Sequence, residues 1–151
     1  MPTNRKIIID TDPGQDDAIA ILLALASPEL EVVGITAIAG NVPLRLTEKN
    51  ARKICELAGR PDVRVFAGAE RPLLRRSVTA EHVHGKTGLD GPVLPKPTMP
   101  LQEQHAVDFI IETLMNEESG TITLCPLGPL TNIALALIRE PRIAPRIKEI
   151  V

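Results

Sequence analysis

The join between Ile7-Ile8-Ile9 and the acidic turn after it, Asp10-Thr11-Asp12-Pro13-Gly14-Gln15-Asp16-Asp17, constrains the rest of this chain. Three consecutive branched aliphatic residues suit a strand buried on both faces, the environment of an interior strand in a parallel sheet. The Pro-Gly turn stops that strand. Behind it Ala18, Ile19, Leu22, Leu23 and Leu25 recur at helical spacing, predicting a helix over 16–26 that ends before Pro28. A strand, a short polar loop and a helix in this order form the repeating unit of α/β folds.

The unit recurs along the chain. Residues 32–38 read as a second strand, Gly40-Asn41 as its loop, and 43–58 as a helix closed by Gly59. A third strand is predicted over 63–66, an amphipathic helix over 104–116, a fourth strand over 121–125, and a helix over 129–139 halted before Pro141. Such alternation predicts an α/β protein with a mostly parallel, Rossmann-like sheet flanked by helices. The pattern breaks over 67–101, where Gly68, Pro72, Gly85, Gly88, Gly91, Pro92, Pro95, Pro97 and Pro100 accumulate. So long a stretch in a compact domain is expected to be a lid or binding loop, with a structureless surface excursion as the plainer alternative. Residues 147–151 begin a fifth strand with no turn signal behind it, and the expectation is an apparently truncated chain, the front of a longer protein.

Composition narrows the function. A net charge of −2, with Lys and Arg only in short runs such as Arg75-Arg76, argues against a nucleic-acid surface built on phosphate contacts. Phe66 and Phe109 are the only aromatics, so stacked bases have no platform. A chain of 151 residues with 44% hydrophobic content can bury roughly 68–70% of its unfolded surface, so any metal would serve chemistry rather than folding. Cys55 and Cys125 stand in no ligand spacing and read as small buried hydrophobes. No segment has the apolar run of a membrane span, and residues 1–6 are polar without the apolar stretch of a signal peptide; the expected location is the cytoplasm.

Asp10, Asp12, Asp16 and Asp17 fall at the carboxyl end of the first strand and the start of the first helix, where open α/β sheets bind ligands. Two like charges about 4 Å apart repel by about 4 kcal/mol at an effective dielectric near 20, so converging carboxylates need a cation or raised pKa values. A hard divalent ion, Ca2+ or Mg2+, suits an all-oxygen cluster with no His or Cys beside it. The plainer reading has Asp16 and Asp17 only favour a helix N-terminus and Asp10 and Asp12 only form a turn. Four acids around one Pro-Gly turn exceed that need, so a metal or substrate site is the expectation. An EF-hand starting at Asp10 fails, with Gln15 where its glycine belongs and Ile21 where its last acid belongs. Gly85-Lys86-Thr87 fails as a P-loop because Ala80 stands at the earlier glycine and no strand leads into it. Asp10-Thr11-Asp12 also mimics the nucleophile motif of aspartyl phosphatases of the haloacid dehalogenase type, though Gly14 stands where Thr or Val is usual; this stays as an alternative.

The stretch Ile9-Asp10-Thr11-Asp12-Pro13-Gly14-Gln15-Asp16-Asp17-Ala18 resembles the amino-terminal signature of the inosine–uridine preferring nucleoside hydrolases. Ala39-Gly40-Asn41, His84-Gly85-Lys86-Thr87-Gly88-Leu89-Asp90-Gly91 and Gly128-Pro129-Leu130-Thr131-Asn132 extend the resemblance over essentially the whole chain, in order. The resemblance implies a nucleoside hydrolase fold and cleavage of the N-glycosidic bond of ribonucleosides to ribose and free nucleobase, in nucleoside salvage. It implies one Ca2+ that holds a water and the ribose hydroxyls. By position it makes Asp12 the general base and a calcium ligand, Asp17 a second, bidentate ligand, and the Leu127 carbonyl part of the same shell. Asp16 would hydrogen-bond ribose, Asn41 would place water or sugar, and Asp10 would support the site. His84, a histidine in a glycine-rich loop, is expected to bind, contacting the nucleobase or closing over the site, while His82 and His105 read as structural or exposed. Cys125-Pro126-Leu127 departs from the Thr-Gly or similar pair of many relatives, which matters little if only a backbone carbonyl ligates.

Members of this family run to about twice this length, and the remainder carries another calcium carboxylate, a histidine, and Asn and Glu contacts to the sugar. Residues 1–151 are therefore expected to be the amino-terminal portion of a single domain, holding half a site and showing little or no activity alone. A dimer or tetramer is implied for the full-length form. A non-catalytic ribose- or metal-binding remnant is the alternative for the isolated chain.

Overall fold

The computed structural model describes residues 4–151, and the first three positions of the polar opening segment lie outside them. The elements alternate as the hydrophobic pattern predicts. Strand β1 (Arg5–Thr11) leads to helix α1 (Gln15–Ala26), β2 (Leu30–Ala37) to α2 (Leu44–Leu57), and β3 (Val65–Ala67) to a short helix α3 (Glu81–His84). Helix α4 (Ala106–Asn116), β4 (Ile122–Pro126), α5 (Thr131–Arg139), a 3-10 helix (Pro141–Arg146) and β5 (Ile147–Ile150) complete the described chain.

The strands form one five-stranded sheet in the order β3-β2-β1-β4-β5, every pair parallel. β1 is interior, paired with β2 on one side and β4 on the other, which is why Ile7-Ile8-Ile9 has no polar alternation. Successive side chains of a strand point to opposite faces. Ile7 and Ile9 accordingly pack with Ile21 and Ala24 of α1 and Ala51, Ile54 and Cys55 of α2. Ile8 packs on the other face with Phe109, Ile110 and Leu114 of α4 and Ile133 and Ala136 of α5. Each of these isoleucines contributes about 1.5–3 kcal/mol on full burial. Both aromatics lie inside this second layer, where Phe66 and Phe109 stack with ring centroids 3.8 Å apart.

From β1 the chain builds outward through β2 to β3, then returns to place β4 on the opposite side of β1. The loops leaving the carboxyl ends of β1 and β4 therefore diverge to opposite faces and open a crevice between them, the place where open α/β sheets bind ligands. The fold puts the acidic turn in that crevice. Among the described residues, no helix is long and apolar enough to cross a membrane.

Two elements escape the periodicity. The segment 67–101 is neither regular nor a free excursion: Ala80 N–H donates to the Asn41 carbonyl, α3 follows, and Leu89 and Met99 are buried in the first core layer. Glu56 accepts hydrogen bonds from the backbone N–H groups of Thr98 and Met99 at 2.7 Å each, and Gln102 then bridges to Phe66 beside β3. The 3-10 helix follows from Pro141 at its first turn and from the Glu140 carboxylate, which accepts from the Arg142 N–H at 3.2 Å. β3 begins two residues later than predicted because Val63 closes a turn, its N–H bonded to the Arg60 carbonyl.

Gly34 occupies β2 where its register with β1 shifts, and a Cβ there would lie 2.6 Å from Phe109 Cζ and 3.2 Å from Phe66 Cε2. The stacked rings leave no direction in which to yield. Gly34→Ala should therefore lower stability by about 1–3 kcal/mol through overpacking, read as a lower urea midpoint with an unchanged slope.

Candidate active site

Asp10 ends the buried run of β1, and its carboxylate stays inside the protein at 1% exposure. Its Oδ1 accepts from Thr36 Oγ1 of β2 at 2.6 Å and from Asn132 Nδ2 of α5 at 2.8 Å. Its Oδ2 is buried and has no partner. Burial raises the pKa of Asp10 to about 6 against the lowering effect of the two hydrogen bonds. Asn132 is fully buried and works in three directions: it also donates to the Ala37 carbonyl at 3.2 Å and accepts from the Ala69 N–H at 2.8 Å. One amide thus ties the ends of β1, β2 and β3 to the start of α5.

Two residues on, Asp12 is 5% exposed. Its Oδ2 accepts from the Asn41 N–H at 2.7 Å, and its own carbonyl accepts from Asn41 Nδ2 at 2.9 Å. Gly40 and Gly128 close on this carboxylate from either side. A Cβ on Gly40 would overlap Oδ2 and one on Gly128 would overlap Oδ1, so both glycines are required by space. Gly128 follows Leu127, whose N–H donates to the Asp10 carbonyl at 2.7 Å and whose side chain is exposed. Burial raises the proton affinity of Asp12, the Asn41 N–H lowers it, and the charges of Asp10 and Asp16 raise it further.

Asp17 sits in the first turn of α1, 6% exposed, and its Oδ2 accepts from the Gly14 N–H at 3.3 Å. Its pKa rises to about 6, chiefly by burial and then by the charge of Asp12. Asp16 is exposed on the same turn. His84, at the end of α3, is brought onto this turn: its ring lies over Gly14, where a Cβ would sit 2.6 Å from Nδ1, and its Nδ1 meets Gln15 Oε1 at 2.5 Å. The loop behind it is closed by Asp90, whose carboxylate accepts from the Lys86 and Thr87 N–H groups at 3.0 and 3.2 Å and from the Thr87 hydroxyl. Gly88, at φ +82°, lets that loop press against Val42 and Asn50. His82 is exposed, and His105 caps α4 by accepting from the Val107 N–H.

The structure therefore gathers Asp10, Asp12, Asp16, Asp17, Asn41, Leu127 and His84 around one crevice. The sequence reading had missed Asn132, Thr36, Gln15, Gly40 and Gly128 as parts of it. All but Thr36 stand within the quoted motifs, yet nothing in the sequence gives their roles, because a buried polar contact leaves no periodic trace. None of the ion pairs among the described residues involves the four aspartates. Buried carboxylates without a cation are costly, and an all-oxygen set of this kind matches a hard divalent ion in chemistry. It falls short in number: among the described residues no three His, Cys, Asp or Glu side chains converge into a metal-holding group.

The sequence profile of the inosine-uridine preferring nucleoside hydrolases matches residues 7–151. The chain belongs to this family. An uncharacterized protein of Schizosaccharomyces pombe is 61% identical over 146 residues, covering 97% of this chain and 47% of that protein. The pyrimidine-specific ribonucleoside hydrolase RihB of Escherichia coli is 48% identical, with 97% of this chain and 46% of that protein covered. Among solved structures, a purine-preferring ribonucleoside hydrolase from Gardnerella vaginalis superposes with a TM-score of 0.91 at 37% identity, over 97% of this chain and 47% of the other. The chain spans about half the length of the relatives it matches. Membership of the family sets aside the aspartyl phosphatase alternative.

Two measurements follow from this geometry. Asn132→Ala removes a donor from Asp10 and leaves the Ala69 N–H without its acceptor, while the Ala37 carbonyl keeps only the Gly68 N–H, so it should cost about 2–3 kcal/mol in a denaturant titration. The second concerns pH. Asp10 and Asp17 bind their protons at about 6 when folded against 3.8 in the unfolded reference, so between those values the folded state holds more protons and stability falls as pH rises. In chelator, the thermal midpoint should rise as pH is lowered from about 7 to 5, and Asp10→Asn should remove part of that rise.

Proposed function

We propose that this chain is the amino-terminal half of a calcium-dependent nucleoside hydrolase that splits the N-glycosidic bond of ribonucleosides into ribose and free nucleobase. The observation that carries this reading is the Asp12 carboxylate: buried between two glycines at the sheet's switch point, positioned by Asn41, raised in proton affinity, and in no ion pair among the described residues.

Asp12 is the general base. Its Oδ2 is anchored by the Asn41 N–H, which fixes the direction of the carboxylate, and burial raises its proton affinity, as suits a group that takes a proton from water. Asp12, Asp17 and the Leu127 carbonyl would hold Ca2+. When bound, such an ion would supply Lewis acidity that eases loss of a proton from water. Asp16, exposed beside them, hydrogen-bonds a ribose hydroxyl, and Asn41 also helps place water or sugar. Asp10 supports the turn through Thr36 and Asn132 rather than by touching substrate. The concentration of negative charge stabilises the oxocarbenium-like sugar of the transition state. His84 lies on the loop that covers the turn and contacts the nucleobase or closes over the site. The full-length form is proposed to act in nucleoside salvage in the cytoplasm as a dimer or tetramer.

The shortage of metal donors favours a second reading for the isolated chain, a ribose- or metal-binding remnant without turnover. Calorimetric titration of the 151-residue chain with CaCl2 should show weak binding that Asp12→Ala and Asp17→Ala abolish. The chain alone should release little or no ribose from inosine or uridine, and robust release would overturn the half-site reading. In the full-length protein Asp12→Ala should reduce turnover by about 10²–10⁴-fold or more, while Asp12→Asn keeps measurable ribose affinity; near-normal rates in either variant would exclude Asp12 as base.

A further inference from the structure

Gln15 enters none of the roles above, yet its side chain makes three polar contacts with the His84 loop. Its Nε2 lies 3.2 Å from the Asp90 carbonyl oxygen and 3.4 Å from that of His84, and its Oε1 lies 2.5 Å from His84 Nδ1. A carbonyl oxygen only accepts, so both backbone contacts require the NH2 end of the amide; turning the amide over would set its oxygen against two other oxygens. The amide oxygen is thereby committed to the imidazole. An amide oxygen only accepts as well, so the nitrogen facing it must carry the hydrogen.

We propose that Gln15 is a positioning residue that holds His84 as the Nδ1–H tautomer and leaves Nε2 as the ring's acceptor. The ring has little freedom to escape this contact. It rests on Gly14, where even a methyl group would collide with it, and its loop is closed by Asp90 and by the Asn50 Nδ2 donation to the Thr87 carbonyl at 2.8 Å. Among the described residues, no hydrogen bond reaches His84 Nε2. An unconstrained histidine side chain favours the Nε2–H form, so the tautomer is one the fold imposes.

The consequence is chemical. A neutral His84 in this state has no proton at Nε2 to give to a departing base, and it meets a ligand there as an acceptor, matched to a hydroxyl or an N–H. The identity of that ligand rests on the hydrolase reading. The tautomer does not, because it follows from the loop alone.

The test is a long-range ¹H–¹⁵N spectrum of the imidazole nitrogens of the 151-residue chain at about pH 8, where imidazole is neutral. His84 should show a protonated Nδ1 and a bare Nε2, whereas exposed His82 shows the usual Nε2–H form in the same sample. In Gln15→Ala, His84 should revert to the His82 pattern while the core amide resonances stay in place. A wild-type His84 in the Nε2–H form overturns the proposal, and so does an unchanged Nδ1–H form in Gln15→Ala. Should that variant fail to fold, the wild-type spectrum decides. No substrate enters the measurement, so failure here is distinct from failure of the hydrolase reading, which would show as absent ribose release by the full-length protein.

Discussion

The arrangement depends on one buried contact, the Asp10 carboxylate held by Thr36 and Asn132 at the carboxyl edge of the sheet. A carboxylate inside a protein costs several kcal/mol unless hydrogen bonds replace its water, and here the replacements come from β2 and α5, elements far from Asp10 in sequence. The bond can form only when the sheet order is correct. Asp10 therefore joins the fold to the site: it ties the end of β1 to β2 and to α5, just before Asp12 leaves the strand. Asn132 extends the tie to β3 through the Ala69 N–H.

Around that joint the protein accumulates negative charge where stability alone would argue against it. Burial raises the proton affinities of Asp10, Asp12 and Asp17, and no Lys or Arg among the described residues pairs with them. Elsewhere the chain treats its charges ordinarily: Arg52 pairs with Glu48 one helical turn away, and Arg142 with Glu140. Carboxylates left unpaired in a crevice are what a site for a cation or a developing positive charge requires. Gly40 and Gly128 belong to the same design, because any side chain at either position would occupy the space of the Asp12 carboxylate.

Much of this was legible without coordinates. The Ile7-Ile8-Ile9 run, the helical spacing behind Gly14 and the later alternation sufficed for the class of fold, because burial on both faces of a parallel sheet leaves an unmistakable apolar pattern. The acidic turn stands out in the sequence as a candidate site for the opposite reason, since four carboxylates around one Pro-Gly turn exceed what a cap and a turn need. Asn132, Thr36 and Gln15 were not legible as site residues. Each is a single polar side chain whose role is set by what stands opposite, and Gln15 meets its partners about seventy positions away. The short helix Glu81–His84 was hidden for a related reason: none of its residues is buried, so it has no apolar face to reveal it.

The sequence by itself determined most of the local elements, their order, the acidic composition of the opening turn and, through matching motifs, the family. These follow from periodicity and residue type, which act over a few neighbouring positions. Tertiary structure decided which carboxylates lost their water, which glycines had to remain glycines, and which nitrogen of His84 carries the proton. Those properties depend on the distance between groups remote in the chain, and packing of the sheet and its two helical layers fixes that distance.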